Sequence, residues 1–257
     1  MKSIKTSITA IVLLFSLIAI AQTKYEPDSV FVYKNTPEGD LKMNVFKPTK
    51  YKKSNNIPVV VFFFGGGWTG GSPKQFYQQA RYFADKGILA ISAEYRIFGT
   101  HKTTPFECVS DGKSAIRYVR EHALELGIDP NKIIAAGGSA GGHVAACTGV
   151  IKGYDDNTEN LKISSVPNAM VLFNPVLDTT DKGYGAKKVA GRETEISPTS
   201  HVVSRIVPTI VFHGTADKTV PFENAERFTQ LMIDAGNTCE LIPFEGQDHG
   251  FFNGSFF

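Results

Sequence analysis

Six short apolar runs recur along the chain, each separated from the next by residues with a different spacing. They are VVVFFF (59–64), ILAISAEY (88–95), KIIAA (132–136), AMVLFNP (169–175), PTIVFHG (208–214) and CELIPF (239–244). Runs this short, with little polar alternation, read as strands buried on both faces. The intervening segments carry helical periodicity. Pro73 to Lys86 sets Phe76, Ala80 and Phe83 on one face, and Pro105 to Leu126 has proline at its start and Gly127 just past its end. Further helices are expected from His143 to Val150 and from Pro221 to Ala235, the latter closed by Gly236. Strand–helix alternation of this kind predicts a mostly parallel central sheet with helices on both faces, an α/β fold in one domain. Residues 29–46, alternating around Glu38-Gly39-Asp40, are expected to add an antiparallel hairpin at the sheet edge. The polar stretch 176–204, with Gly183, Gly185, Gly191 and Pro198, breaks the rhythm. It reads equally as a lid or binding loop and as a surface excursion.

Residues 1–21 have the pattern of an export signal. Met1, Lys2 and Lys5 precede an apolar stretch, and Ala19-Ile20-Ala21 supplies a small-x-small site, with cleavage expected between Ala21 and Gln22. The alternative is a membrane anchor, but the fully apolar part, Ala10 to Ala21, falls short of the ~20 residues a spanning helix needs. Residues 22–257 are therefore expected as a secreted or periplasmic domain with no stable membrane anchor. A net charge of +2 gives no ground for nucleic-acid binding. Cys108, Cys147 and Cys239 lack metal-ligand spacing and lie in apolar segments, so buried free thiols are expected. One disulfide is the alternative in an oxidising compartment.

Two glycine-rich stretches carry the chemistry. GGGWTG (65–70) satisfies G-x-G-x-x-G, and Glu94 lies where a ribose-binding acid would be wanted. A dinucleotide site needs a helix to start within the glycines. Here Trp68 is bulky, Gly71-Ser72-Pro73 delays the helix, and the motif follows the third predicted strand. The second stretch, NKIIAAGGSAGGHVAAC (131–147), fails both phosphate templates. Ser139 occupies the second glycine position of one, and His143 and Val144 occupy the lysine and hydroxyl positions of the other. It does satisfy G-x-S-x-G over Gly137 to Gly141, on a strand end that leads into a helix.

A serine hydroxyl needs a base, and the base needs an acid to fix its tautomer, in the chain order Ser, Asp or Glu, His. Of the downstream histidines, His249 lies just past the last predicted strand. His213 is expected to brace its own loop, and His201 has no evident partner. His143, one turn beyond Ser139, is expected to pack in the helix. Asp217, just after the penultimate strand, is the candidate acid, with Asp178 in reserve and Asp248 as a solvated or loop-bracing carboxylate. The oxyanion donors are then the amides of Ala140, Gly66 and Gly67. Trp68 beside them either lines the substrate pocket or packs the loop.

Together FFFGGGWTGGSP, EYR, GGSAGGH, HGTADKTVP and QDHGFF resemble the α/β-hydrolase superfamily. Within it they are similar to the secreted bacterial esterase/lipase group of acetyl esterases, acetylxylan esterases and feruloyl-esterase-like enzymes. The resemblance covers nearly all of residues 22–257. It implies a metal-independent, cofactor-free hydrolase of carboxylic esters, with acetyl or other short acyl groups on carbohydrates as substrate. It also implies Ser139 as nucleophile, His249 as general base and acid, and Asp217 as orienter. Two departures stand out. Phe64 occupies the place where many relatives carry a histidine, which removes a side-chain hydrogen bond that could hold the oxyanion loop. The sequence ends at Phe257, where the family fold adds a final helix; the apolar FFNGSFF (251–257) is expected to cover part of that surface, and a truncated sequence is the alternative. A serine peptidase of the same fold and a non-catalytic carbohydrate-binding relative stay open beside the esterase.

Overall fold

The computed structural model describes residues 25–53 and 56–253, so the export signal expected at residues 1–21 lies outside it. Eight strands form one sheet: β1 (Ser29–Thr36), β2 (Gly39–Phe46), β3 (Ile57–Phe63), β4 (Leu89–Ala93), β5 (Ile128–Gly138), β6 (Ala169–Phe173), β7 (Thr209–Gly214) and β8 (Cys239–Phe244). Their order is β1-β2-β4-β3-β5-β6-β7-β8. The β1–β2 hairpin lies at one edge and pairs antiparallel to β4; every other pairing is parallel. The helices are α1 (Tyr77–Asp85), α2 (Phe98–His101), α3 (Pro105–Glu121), α4 (Ala140–Val150) and α5 (Phe222–Asp234).

Period-two alternation divides the sheet into two faces. On one, Phe62 packs against Phe76 and Phe83 beside α1, and Phe173 stacks on Phe212. On the other, Met170 approaches Gly149 of α4 so closely that a Cβ there would stand 2.6 Å from its sulfur. The inner strands are almost fully buried, as continuous apolar runs require: Val59, Val61, Phe62, Phe63, Ile91 and Ile133 are each 0% exposed. α3 starts on a capping box, with the Thr104 amide donating to Glu107 Oε2 at 2.7 Å and Pro105 at its first position.

Two boundaries differ from the sequence expectation. β5 begins at Ile128 because Ile128 pairs with Ile57, although Asp129 to Asn131 are polar. α4 begins at Ala140 rather than His143, so its first turn contains Gly141 and Gly142. Poor helix formers are tolerated there because strand and loop backbone crowd against them. Among the described residues, β8 is followed only by a 3₁₀ turn, Phe251–Asn253. Phe251 stacks on Phe244 at 4.5 Å, and Phe252 is buried against Phe76 and Phe173. The two phenylalanines thus cover part of the α1 face, beside an apolar groove of about 470 Å³ lined by Tyr82, Phe83, Phe173, Ile210 and Phe212. All three cysteines are free thiols, Cys108 and Cys147 buried and Cys239 half-buried.

Candidate active site

β3 has β4 on one side and β5 on the other, so the chain reverses its direction of travel across the sheet at β3. The loops that leave the C-terminal ends of β3 and β5 flank the resulting crevice, where α/β sheets gather their sites. Ser139 is the one residue between β5 and α4. It makes the turn at φ +55° and ψ −122°. Such a conformation costs a non-glycine residue about 1–3 kcal/mol and persists only where its surroundings hold it. Here the Ser139 amide donates to the Phe173 carbonyl at 2.9 Å, and its carbonyl accepts from the His143 and Val176 amides at 3.0 and 3.2 Å. The flanking glycines make room: a Cβ on Gly137 would stand 2.4 Å from the Gly141 carbonyl oxygen, and one on Gly141 2.1 Å from that of Phe63. The G-x-S-x-G spacing therefore records close backbone contacts on both sides of the serine.

The loops after β7 and β8 bring two further side chains to that hydroxyl. His249 Nε2 lies 2.9 Å from Ser139 Oγ, and His249 Nδ1 lies 2.7 Å from Asp217 Oδ2. An ionised carboxylate only accepts, so Nδ1 carries the proton and Nε2 is free to accept from the serine. The Thr219 and Val220 amides donate to Asp217 Oδ1 at 2.8 and 2.9 Å. His213 Nε2 faces both Asp217 Oδ2 at 3.2 Å and the Val220 carbonyl at 3.0 Å, so this buried histidine braces the acid's loop. Burial by itself would raise the Asp217 pKa. The hydrogen bonds from His213, His249 and the two amides outweigh it and hold the carboxyl well below the usual carboxylate range.

The remaining candidates lie elsewhere. Asp178 is buried and paired with Arg227, and its Oδ1 accepts from the Thr180 amide at 2.8 Å, away from His249. Asp248 is exposed and caps its own loop by accepting from the Gly250 amide at 2.9 Å. His143 packs inside the molecule with Nε2 2.7 Å from the Ile196 carbonyl, and His201 faces the Thr194 carbonyl at 2.8 Å.

The oxyanion loop is a tight turn. The Gly66 carbonyl accepts from the Thr69 and Gly70 amides at 3.1 and 3.0 Å, and Gly66, Gly67 and Trp68 all have positive φ. The Gly66 and Gly67 amides donate to none of the described residues. The Ala140 amide, at the start of α4, lies in the first turn, where helix amides have no intrahelical acceptor. Phe64 leaves the loop without a histidine, yet other side chains hold it. Tyr95 Oη donates to the Phe64 carbonyl at 2.6 Å, and the Gly65 amide donates to Gln75 Oε1 at 2.5 Å. Lys188 Nζ, from the 176–204 stretch, donates to the Gly67 carbonyl at 2.7 Å and sits over the rings of Trp68 and Tyr184.

Trp68 does not stand in an open pocket. It is 1% exposed, its ring packed edge-on against His143 and covered by Tyr184 and Gly185, so it backs the oxyanion loop. The stretch 176–204 contains only two 3₁₀ turns, Ala186–Lys188 and Pro198–His201. It is anchored by Val189 and Ile196, which share a small apolar cluster with Val109 of α3 and Cys147 of α4.

One residue of the site escaped the sequence reading. Asn174, fully buried at φ +40°, donates through Nδ2 to the His249 carbonyl at 2.7 Å and to the Asp248 carbonyl at 3.1 Å. Its Oδ1 accepts from the Gly214 amide at 2.8 Å. One carboxamide thus joins the Asp217 loop to the His249 loop. Its only sequence signal is a polar residue at the end of the run AMVLFNP.

The BD-FAE family matches residues 43–183, and the dienelactone hydrolase family matches residues 169–255. A probable isoprenylcysteine alpha-carbonyl methylesterase of Arabidopsis thaliana is 28% identical over 242 residues, 85% of this chain and 50% of that protein. An acetylxylan esterase of Xylanibacter ruminicola is 27% identical over 197 residues, 70% of this chain and 38% of that protein. The chain therefore spans about half the length, or less, of these curated relatives. Among solved structures, the apo form of Thermogutta terrifontis esterase 2 superposes with a TM-score of 0.85 at 48% identity, covering 88% of this chain and 86% of that one.

Proposed function

Since the chain belongs to the α/β-hydrolase esterase family, we propose that it hydrolyses carboxylic esters through an acyl-enzyme on Ser139. The observation that carries this reading is the unbroken relay from Ser139 Oγ through His249 to Asp217, at 2.9 and 2.7 Å. In the first step His249 Nε2 takes the hydroxyl proton while Ser139 Oγ bonds to the ester carbonyl carbon. The carbonyl π electrons move to oxygen, and the Gly66, Gly67 and Ala140 amides receive the oxyanion. Each such donor is worth about 3–4 kcal/mol in the transition state. The C–O bond to the alcohol then breaks as His249 returns its proton to the leaving oxygen. Water, deprotonated by the same nitrogen, attacks the acyl carbon; the bond to Ser139 Oγ breaks, Oγ takes the proton back from His249, and the carboxylic acid leaves. Asp217 stays ionised throughout, which its depressed pKa favours.

The substrate is proposed to be a short acyl ester, acetyl foremost, on a carbohydrate alcohol. Similarity to an acetylxylan esterase supports the alcohol side. Crowding supports the short acyl group. Tyr184 Oη and Lys188 Nζ lie 2.9 and 3.0 Å from the place a Gly67 Cβ would take, which leaves little width beside the oxyanion loop. The test is turnover of p-nitrophenyl acetate, butyrate and octanoate and acetate release from acetylated xylan, by the unaltered protein and by Ser139→Ala. We expect acetate to be the best aryl ester, and a loss of roughly 10⁶-fold in the variant with its circular dichroism unchanged. Full turnover in Ser139→Ala would overturn the mechanism, and faster cleavage of octanoate would overturn the acyl preference.

A further inference from the structure

We propose that Gln75 is a positioning residue that locks the oxyanion loop to the loop carrying His249, an inference that rests on the esterase reading above. Gln75 lies in the 3₁₀ turn Pro73–Phe76 that leads into α1. Its carboxamide offers an acceptor at one atom and a donor at the next, and the two face different loops. Oε1 accepts from the Gly65 amide at 2.5 Å, and Nε2 donates to Asn253 Oδ1 at 2.9 Å.

The first contact fixes the root of the oxyanion loop. The Gly65 amide belongs to the same peptide as the Phe64 carbonyl, which accepts from Tyr95 Oη at 2.6 Å. Both polar ends of that peptide are therefore held by side chains, and Gly66 and Gly67 follow directly from it. A Cβ placed on Gly65 would lie 3.2 Å from Ser139 Cβ and 3.5 Å from Gln75 Nε2, so the carboxamide and the nucleophile border the same narrow gap.

The second contact fixes the far side of the base. Between His249 and Asn253 lies Phe252, whose carbonyl accepts from Gln79 Nε2 at 2.9 Å, one helical turn on from Gln75. The Phe252 ring stacks on Phe76 at 6.0 Å and presses on Gly138, where a Cβ would meet it at 2.4 Å. The start of one helix thus grips the oxyanion loop and the histidine loop together. Glutamate would lack the donor and methionine both contacts. With the Phe64 side chain unable to hydrogen-bond, Gln75 supplies a side-chain brace at this root.

The consequence falls on the transition state. Oxyanion donors act only when aimed at an oxygen that acquires its charge and position during the reaction, so a loosened loop lowers kcat more than it raises KM. The experiment compares Gln75→Met, Asn253→Ala and the double variant on p-nitrophenyl acetate, with Ser139→Ala as control and thermal melting alongside. Affinity for an aryl trifluoromethyl ketone, which adds to the serine as a tetrahedral oxyanion, is measured on the same proteins. We expect Gln75→Met to lose roughly 10–100-fold in kcat with KM within threefold, and ketone affinity to fall in proportion to kcat/KM. Asn253→Ala should lose less, and the double variant no more than Gln75→Met, because the two side chains act as one link. Unchanged kcat in Gln75→Met, a loss carried by KM alone, or independent losses that multiply in the double variant would overturn the proposal. Should Gln75→Met not fold, Asn253→Ala alone decides it: a kcat loss at constant KM supports the link and wild-type kcat removes it. Turnover that survives Ser139→Ala would instead remove the esterase reading, and this inference with it.

Discussion

At the scale of single residues, the site is built from groups held against their ordinary preferences. Ser139 stays at positive φ because three backbone hydrogen bonds and two glycines leave it no other course. Asp217 remains ionised in a buried position because four donors converge on it. His143 shows the opposite balance. Burial pushes its pKa down from 6.5 to about 4, since the Ile196 carbonyl is its one strong partner and Nδ1 has none among the described residues. As pH falls, the unfolded chain binds this proton before the folded one does. The contribution to stability is therefore intact above about pH 6.5, declines between 6.5 and 4, and levels off below. Across that window it amounts to about 3 kcal/mol. A proton NMR titration should find the His143 ring neutral down to near pH 5, and a midpoint close to 6.5 would contradict the burial argument.

At the scale of elements, the strands and helices were legible because burial writes itself into sequence as unbroken apolar runs and helical spacing. β8 coincides with CELIPF, and α5 departs from its predicted bounds by one residue at each end. Ser139, Asp217 and His249 could be nominated because the motif and chain order restrict where such groups stand. What could not be read was the bracing. Gln75, Asn174 and Lys188 belong to no motif, and they matter through partners 10 to 178 positions away. Trp68 was open to two readings, because a ring beside a loop looks alike in sequence whether it faces substrate or core. The stretch 176–204 depends on a similar unmarked pair. Asp178 near its start is held by Arg227 of α5 and by Ser197 near its end. Arg227→Met would leave that buried carboxylate short of a partner and destabilise the stretch by about 1–2 kcal/mol. Limited proteolysis should then cut within 176–204 faster than in the unaltered protein, and equal rates would show that the apolar anchors Val189 and Ile196 suffice.

At the scale of the whole molecule, the order of the strands brings the chemistry together. Five connections contribute, after β3, β5, β6, β7 and β8, and all leave the C-terminal ends of parallel strands. Residues up to 184 positions apart therefore converge on one crevice, from Gly65 to His249. The antiparallel hairpin β1–β2 sits at the far edge and serves the sheet rather than the site. On the proposed mechanism, reactivity is concentrated in the Ser139 hydroxyl. The most direct test is stoichiometric labelling with paraoxon, read by intact mass and peptide mapping, on the unaltered protein and on His249→Ala. One phosphoryl group per chain is expected, on the peptide containing Ser139, with loss of rapid labelling in the variant. An unlabelled protein, or a label on any other residue, would contradict that mechanism.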